Sequence, residues 1–162
     1  MTHSILSVCL GNICRSPAGQ GALQRALPGV RIDSAGTSGW HDGDAPYAAM
    51  QEAARALGLD LSAQVSRRVQ PQDFTRFDLI LAMDAQNLAD LRAIQPKGSP
   101  ARLALYLDAM EKGPRDVRDP YYTRDFNGVM ALIDRGARAW ASRLQGDSGQ
   151  LHCNSAASPN AS

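Results

Sequence analysis

The most informative part of the sequence is Val8-Cys9-Leu10-Gly11-Asn12-Ile13-Cys14-Arg15-Ser16-Pro17. The apolar residues 4–8 that lead into it predict a buried strand. Ser16 and Pro17 predict the start of a helix, because serine is a favoured N-cap and proline is tolerated at the first helical position. A short loop therefore joins a strand to a helix N-terminus, where free backbone N–H groups and the helix dipole favour an anion.

Several residues of this loop predict a reaction site in addition to an anion site. Backbone N–H groups that hold a phosphate also stabilise a thiolate, and Cys9 opens the loop. The planar guanidinium of Arg15 binds two phosphate oxygens at once. Gly11 lets the backbone turn tightly, and Asn12 tolerates a left-handed conformation better than most residues. The hydroxyl of Ser16 is placed to donate to the sulfur.

Composition narrows the class of protein. A chain of 162 residues with a formal net charge of +1 predicts one domain and no nucleic-acid or membrane-surface partner. It contains no apolar run of membrane-spanning length, and the first residues do not resemble a signal peptide. Three cysteines without framework spacing argue against a disulfide scaffold and against a zinc site. We therefore expect a cytoplasmic protein with neither metal nor cofactor.

Strands and helices alternate along the sequence. Period-two or continuous apolar patterns predict strands over residues 5–10, 30–33, 78–83 and 102–105. Helical patterns cover residues 17–27, 47–57, 85–94 and 126–144, with Asp84 as the cap of the third and residues 34–37 as a loop. This alternation predicts a doubly wound α/β domain, residues 1–144, with a four-stranded parallel sheet and helices on both faces. Residues 145–162, poor in charge and rich in Ser, Asn and Gly, predict a disordered tail.

A second chemical motif lies far along the chain, at Arg118-Asp119-Pro120-Tyr121-Tyr122. A thiolate nucleophile needs an acid for the leaving oxygen, and Asp119 is the candidate. The alternative is a simple turn with packed aromatic side chains. The loop around Cys9 favours the catalytic interpretation.

The sequence Cys9-Leu10-Gly11-Asn12-Ile13-Cys14-Arg15-Ser16-Pro17 resembles the low-molecular-weight protein tyrosine phosphatases closely. The similarity extends over residues 5–144 and includes the Asp-Pro-Tyr-Tyr stretch, which resembles the family's general-acid loop. The resemblance implies strand order 2-1-3-4, with Cys9 as nucleophile, Arg15 as phosphate ligand and Asp119 as acid. It also implies phosphate-binding and loop-support roles for Leu10, Gly11, Asn12, Ile13, Cys14, Ser16 and Ser34.

Other residues keep two interpretations each. Trp40, Tyr121 and Tyr122 either wall a substrate pocket or pack at the surface. Cys14 either packs inside the loop or forms a reversible disulfide with Cys9 that protects the nucleophile. Asp84 either reaches the active-site network or serves only as a helix cap. His41 is predicted to be a solvated loop residue.

One position departs from the family's pattern. Many members read His-x-Ala-Arg where this chain reads Gln64-Val65-Ser66-Arg67. The family histidine supports the phosphate loop through hydrogen bonds, and Gln64 replaces it only in part. The departure affects the expected rate but not the expected class of reaction.

The resemblance implies metal-free hydrolysis of phosphotyrosine in proteins through a phosphocysteine intermediate. It implies tyrosine-phosphorylated proteins as partners. We also expect a cognate tyrosine kinase and a monomeric enzyme. Two alternatives are an arsenate reductase of the same fold, for which the chain lacks further cysteines outside the tail, and a non-catalytic phosphoprotein-binding module. Phosphoarginine and small aryl phosphates stay open as substrates.

Overall fold

The computed structural model describes the backbone of residues 2–160 and the side chains of residues 2–146. Its strands are β1 (Ser4–Cys9), β2 (Arg31–Gly36), β3 (Leu79–Ala82) and β4 (Arg102–Leu105). Its helices are α1 (Arg15–Ala26), α2 (Ala48–Ala56), α3 (Asp73–Arg76), α4 (Ala85–Ile94), α5 (Pro120–Thr123) and α6 (Phe126–Asn160), with a 3-10 turn at Tyr106–Ala109.

The four strands form one parallel sheet in the order β2-β1-β3-β4. This confirms the predicted fold class and strand order. The chain leaves β1 toward β2 on one side and later returns to β3 on the other side. Such a reversal opens a crevice at the carboxyl ends of the strands, where doubly wound folds bind ligands. Cys9, the last residue of β1, lies at this crevice.

Two hydrophobic clusters cover the faces of the sheet, because successive side chains of a strand point to opposite sides. Ile5 of β1 belongs to the cluster under α1, α2 and α6, which also contains Trp140. Leu6 and Val8 belong to the cluster on the other face, with Leu91 of α4. All six residues of β1 are buried, as expected for a central parallel strand. Its carboxyl end is therefore a rigid platform for the loop that follows.

The start of α1 and the end of β2 differ from the sequence prediction. Helix α1 begins at Arg15, with Cys14 at the N-cap and no side-chain capping bond, so Ser16 and Pro17 lie inside the first turn. The prediction of Ser16 as the cap is wrong because its hydroxyl is engaged by the loop instead. Strand β2 continues to Gly36, so Ser34 is a strand residue rather than part of a loop. It pairs with Ser7 of β1.

The prediction for α4 is confirmed to the residue. Asp84 caps this helix, and its Oδ1 accepts a hydrogen bond of 2.7 Å from the N–H of Asn87. Strand β4 also has its predicted bounds. Within the part of the chain that the structure describes, no helix combines the length and the apolar character needed to cross a membrane.

The last helix is longer than predicted. The backbone of α6 is helical to Asn160, whereas the apolar periodicity predicts an end at Leu144. The side chains of residues 147–162 lie outside the described residues. The domain boundary at residues 144 and 145, and the tail as a separate segment, stay predictions.

Candidate active site

The sulfur of Cys9 lies at the centre of the loop and receives polar contacts from two sides. Its Sγ is 3.1 Å from the Oγ of Ser16, and the backbone N–H of Asn12 donates to it at 3.3 Å. Cys9 is only 3% exposed and is not in a disulfide. The buried sulfur is therefore in polar contact with the Ser16 hydroxyl and with one backbone N–H of the loop.

Asn12 holds the loop in shape. Its φ is 57°, so Asn12 itself takes the left-handed conformation in the turn. Its Nδ2 donates to the hydroxyls of Ser16 (2.8 Å) and Ser34 (3.0 Å), and its Oδ1 accepts from the N–H of Arg67 (3.0 Å). One buried side chain thereby ties the loop to α1, to β2 and to the segment before α3. The strain of the left-handed backbone is offset by these three bonds.

The carbonyl oxygens of the loop accept hydrogen bonds from residues outside it. The carbonyls of Cys9 and Leu10 accept from the N–H groups of Thr37 (2.9 Å) and Ser38 (3.0 Å). Those of Gly11 and Ile13 accept from the Ser66 hydroxyl (3.1 Å) and the N–H of Tyr47 (2.8 Å). Gly36 permits this packing, because a Cβ there would lie 2.8 Å from the Leu10 oxygen. A loop whose carbonyl oxygens are satisfied from outside, and which leads into a helix N-terminus, can offer its backbone N–H groups to an anion.

Arg15 is a buried cation fixed on one side. Its Nη1 donates to the Oδ2 of Asp84 (2.7 Å) and to the carbonyl of Val117 (2.9 Å), while its Nη2 lies 3.8 Å from the Oδ2 of Asp119. Burial opposes the charge of Arg15, but Cys9, Asp84 and Asp119 outweigh it and raise the pKa of Arg15. The guanidinium therefore stays charged, with its second amino group on the side of Asp119.

Asp119 caps the short helix α5. Its Oδ1 accepts from the N–H of Tyr121 at 3.0 Å, and Pro120 occupies the first helical position. The other oxygen, Oδ2, is the one nearest to Arg15. The carboxylate is thus held by its own helix on one side and faces the phosphate loop on the other.

One cavity of about 220 Å³ brings these groups together. Trp40 and Tyr122 line it and are 76% and 77% exposed, which is unusual for large aromatic side chains. Tyr121 packs edge-on against Tyr47, with 6.1 Å between ring centroids. The cavity is lined by Cys9, Leu10, Gly11, Ile13, Cys14, Arg15, Trp40, His41, Asp119, Tyr121 and Tyr122.

Residues 4–150 match the family model of low molecular weight phosphotyrosine protein phosphatases. The chain belongs to this family. A curated family member of Bacillus subtilis, the low molecular weight protein-tyrosine-phosphatase YfkJ, is 39% identical over 149 residues, 88% of this chain and 96% of the relative. Low molecular weight phosphotyrosine protein phosphatase 1 of Drosophila melanogaster is 38% identical over 90% of this chain and 97% of its own.

Solved structures of the family agree with this fold. The crystal structure of YfkJ has a TM-score of 0.84 at 36% identity and covers 91% of this chain and 97% of its own. Wzb of Vibrio vulnificus, solved in complex with benzylphosphonate, has a TM-score of 0.79 at 31% identity. The match covers 87% of this chain and 98% of the Wzb chain.

The remaining loop-support residues of this family member lie behind the cavity rather than in it. Asn12, Ser16 and Ser34 are buried and form one chain of hydroxyl and amide contacts. That chain ends at Gln20, whose Oε1 accepts from the Ser34 hydroxyl at 2.7 Å. Gln20 was not anticipated from the sequence, because only the fold brings this face of α1 against β2.

Cys14 lines the cavity as a neutral thiol. Burial, together with the nearby charges of Cys9 and Asp119, raises the pKa of Cys14 to about 12. Both Cys14 and Cys9 are free and buried. The raised pKa disfavours Cys14 as a nucleophile at neutral pH.

Gln64 takes over only part of a supporting role in the phosphate loop. Its Nε2 donates to the carbonyl of Pro17 at 3.0 Å, while its buried Oε1 has no partner within the described part of the chain. His41 was predicted to be a solvated loop residue, but it lines the cavity. Its Nδ1 lies 3.2 Å from the Oδ2 of Asp44. Asp84 reaches the site and also caps α4, so both of its interpretations hold.

Proposed function

We propose that the protein hydrolyses phosphotyrosine in protein substrates, with Cys9 as nucleophile, Arg15 as phosphate ligand and Asp119 as acid and base. Family membership makes the chain a phosphoric monoester hydrolase of the protein-tyrosine-phosphatase class. The observation that carries the residue roles is that all three side chains line one cavity.

In the first step the Cys9 thiolate attacks phosphorus in line with the tyrosine oxygen. An S–P bond forms, the P–O bond to the tyrosine breaks, and protonated Asp119 delivers its proton to the leaving oxygen. The loop N–H groups and Arg15 bind the three equatorial oxygens, on which the transition-state charge lies. The fixed position of Arg15 on Asp84 and Val117 supports this role, because little reorganisation is needed when the ester binds.

In the second step water attacks the phosphocysteine. Asp119, now a carboxylate, takes a proton from the water, a P–O bond forms and the S–P bond breaks. Inorganic phosphate leaves, and Cys9 returns as a thiolate held by Ser16 and the N–H of Asn12. Every atom and electron pair is accounted for by ester, water and these side chains, so the proposed cycle needs no further co-reactant.

The substrate ring would lie among the aromatic side chains of the cavity mouth. Trp40, Tyr121 and Tyr122 offer flat apolar surfaces on its rim, which suit an aryl phosphate better than the short side chain of phosphoserine. The related Wzb was solved in complex with benzylphosphonate, in which one carbon separates an aromatic ring from the phosphorus. This complex supports an aryl phosphate as substrate.

We extend the proposal to the cellular setting of the enzyme. A catalytic thiol works in a reducing compartment, so we propose a cytoplasmic location. Phosphotyrosine substrates imply a protein tyrosine kinase that produces them. The cavity contains the proposed nucleophile, ligand and acid from one chain, which supports a monomeric enzyme.

The substrate class is tested with matched phosphopeptides. The full-length protein is incubated with a peptide carrying phosphotyrosine and with the same peptide carrying phosphoserine, and released phosphate is measured. We expect release from the phosphotyrosine peptide only, and none with the Cys9→Ser variant. Equal release from both peptides would contradict the proposed substrate class.

A further inference from the structure

The loop that carries Asp119 is mostly exposed and has one buried residue. This loop, here called the acid loop, spans residues 110–119 between the 3-10 turn and α5. Residues 111–116 and Arg118 are exposed, whereas Val117 is completely buried among apolar side chains. An exposed loop makes few contacts with the rest of the protein, so those few contacts determine the position of the acid that it carries.

Val117 is joined to the phosphate loop and to the sheet through its backbone. Its carbonyl accepts from Nη1 of Arg15 at 2.9 Å, and its N–H donates to the carbonyl of Met83 at 2.8 Å. Met83 directly follows β3, so this hydrogen bond fixes the end of the acid loop to a central strand of the sheet.

Asp116 adds a side-chain contact at the same place. Its Oδ1 accepts from the N–H of Ala85, the first residue of α4, at 3.1 Å. The first N–H groups of a helix have no partner within the helix, so this donor is free for a residue from outside. Asp84 satisfies a different donor of the same helix end, the N–H of Asn87. Asp116 therefore docks the acid loop on α4 without competing with the cap.

We propose that Asp116, together with the backbone of Val117, is a positioning residue for the general acid. Asp119 lies two residues beyond Val117, and two residues span at most about 7 Å, so a shift at the anchor passes to the carboxylate. The proposal rests on the proposed function, because it assigns to Asp116 the placement of the proton donor. A misplacement of about 1 Å is enough to impair such a group.

The test compares two esters that differ in how much they need the acid. Dinitrophenolate leaves readily without a proton, whereas phenolate needs one. In Asp116→Ala we expect kcat/KM for phenyl phosphate to fall on the order of tenfold, with kcat/KM for 2,4-dinitrophenyl phosphate within about twofold of wild type. Inhibition by inorganic phosphate should be unchanged, because the phosphate loop is intact.

Three further variants separate placement from folding. Asp116→Asn keeps an oxygen that accepts from Ala85 and should restore most of the rate on phenyl phosphate. Asp60→Ala removes an exposed carboxylate that accepts from the N–H of Ser62, far from the site in the chain, and should leave both esters unaffected. Asp116→Leu, similar in shape but without an acceptor, replaces Asp116→Ala if that variant does not fold.

The outcomes are distinct. A selective loss on phenyl phosphate, reversed in Asp116→Asn, supports the positioning role. Unchanged rates on both esters, or equal losses on both, overturn it, since the contact would then be dispensable or merely structural. A wild-type protein without Cys9-dependent turnover would instead overturn the proposed function itself.

Discussion

The hydroxyl oxygen of Ser16 lies 3.1 Å from the sulfur of Cys9 and also accepts a hydrogen bond from Asn12 at 2.8 Å. Since the amide of Asn12 is a donor, the single proton of Ser16 points either to the sulfur or to the carbonyl of Ala35, which lies 3.3 Å away. A hydrogen bond to a charged group contributes about 1.5–3 kcal/mol. When Cys9 acts as a thiolate, which only accepts, we expect this proton to point to the sulfur, so that Ser16 supports the nucleophile rather than the helix end.

Replacing Ser16 should slow the first chemical step. We expect Ser16→Ala to lower kcat/KM for an aryl phosphate on the order of tenfold or more, because the thiolate loses a donor. Ser4→Ala is the matched control. Ser4 is also a buried serine whose hydroxyl donates to a carbonyl, that of Arg76, but it lies at the end of β1 that is remote from Cys9. An equal loss of rate in the control would contradict the assignment.

Asn12 should matter for stability through both its bonds and its backbone. We expect Asn12→Ala to lower the free energy of unfolding in urea by about 3 kcal/mol, because buried donors and acceptors lose partners. Asn12→Gly loses the same bonds but accepts φ of 57° without strain, so it should be more stable than Asn12→Ala by about 1 kcal/mol. The reverse order would show that the left-handed turn is not strained.

Removing the proposed acid should affect esters unequally. In Asp119→Ala we expect kcat/KM for phenyl phosphate to fall by about 10²–10⁴-fold, the usual contribution of a general acid. The loss for 2,4-dinitrophenyl phosphate should be far smaller, because that oxygen leaves as an anion. Steady-state kinetics on the two esters measure this, and a uniform loss would assign Asp119 to binding instead.

The two cysteines of the loop should differ in reactivity. Burial raises the pKa of Cys14 to about 12, so Cys14 stays protonated at neutral pH and becomes a thiolate only as the pH rises toward that value. Iodoacetamide at pH 7, followed by peptide mapping, should label Cys9 and leave Cys14 unmodified. Labelling of Cys14 at the same rate as Cys9 would contradict this difference.

The raised pKa of Cys14 also has a consequence for stability. Unfolded thiol loses its proton near pH 9.0, whereas the folded protein keeps it to about 12. The contribution of the protonated thiol to the free energy of unfolding is fully present below pH 9 and is lost as the pH rises through about 12. Wild type should therefore lose more unfolding free energy than Cys14→Ser between these pH values, as measured by urea unfolding.

The sequence predicted correctly the ends of those helices and strands that are determined by residues adjacent in sequence. Asp84 and its helix follow from capping and apolar spacing, and both agree with the structure. The start of α1 does not, because Ser16 is withdrawn from the cap by contacts with Cys9 and Ala35, which lie in two strands. A capping rule based on nearest neighbours cannot anticipate such long-range contacts.

The chemical groups of the site were readable from the sequence, but their supports were not. Cys9, Arg15 and Asp119 belong to motifs, and the structure brings them to one cavity. The contacts of Arg15 with Asp84 and Val117 depend on the order of the strands. One signal did exist, since Val117 is the only aliphatic residue among the charged and turn-forming residues 111–119. An isolated apolar residue in such a loop indicates an anchor.

The most direct test is the release of para-nitrophenol from its phosphate ester in EDTA, with wild type beside Cys9→Ser. Sulfur and oxygen are close in size, so the variant keeps the loop while losing the thiolate. We predict full turnover of wild type in EDTA and background turnover in Cys9→Ser, with equal circular dichroism spectra. Equal activity of the two proteins, or loss of wild-type activity in EDTA, would contradict the proposed cysteine-dependent, metal-free mechanism.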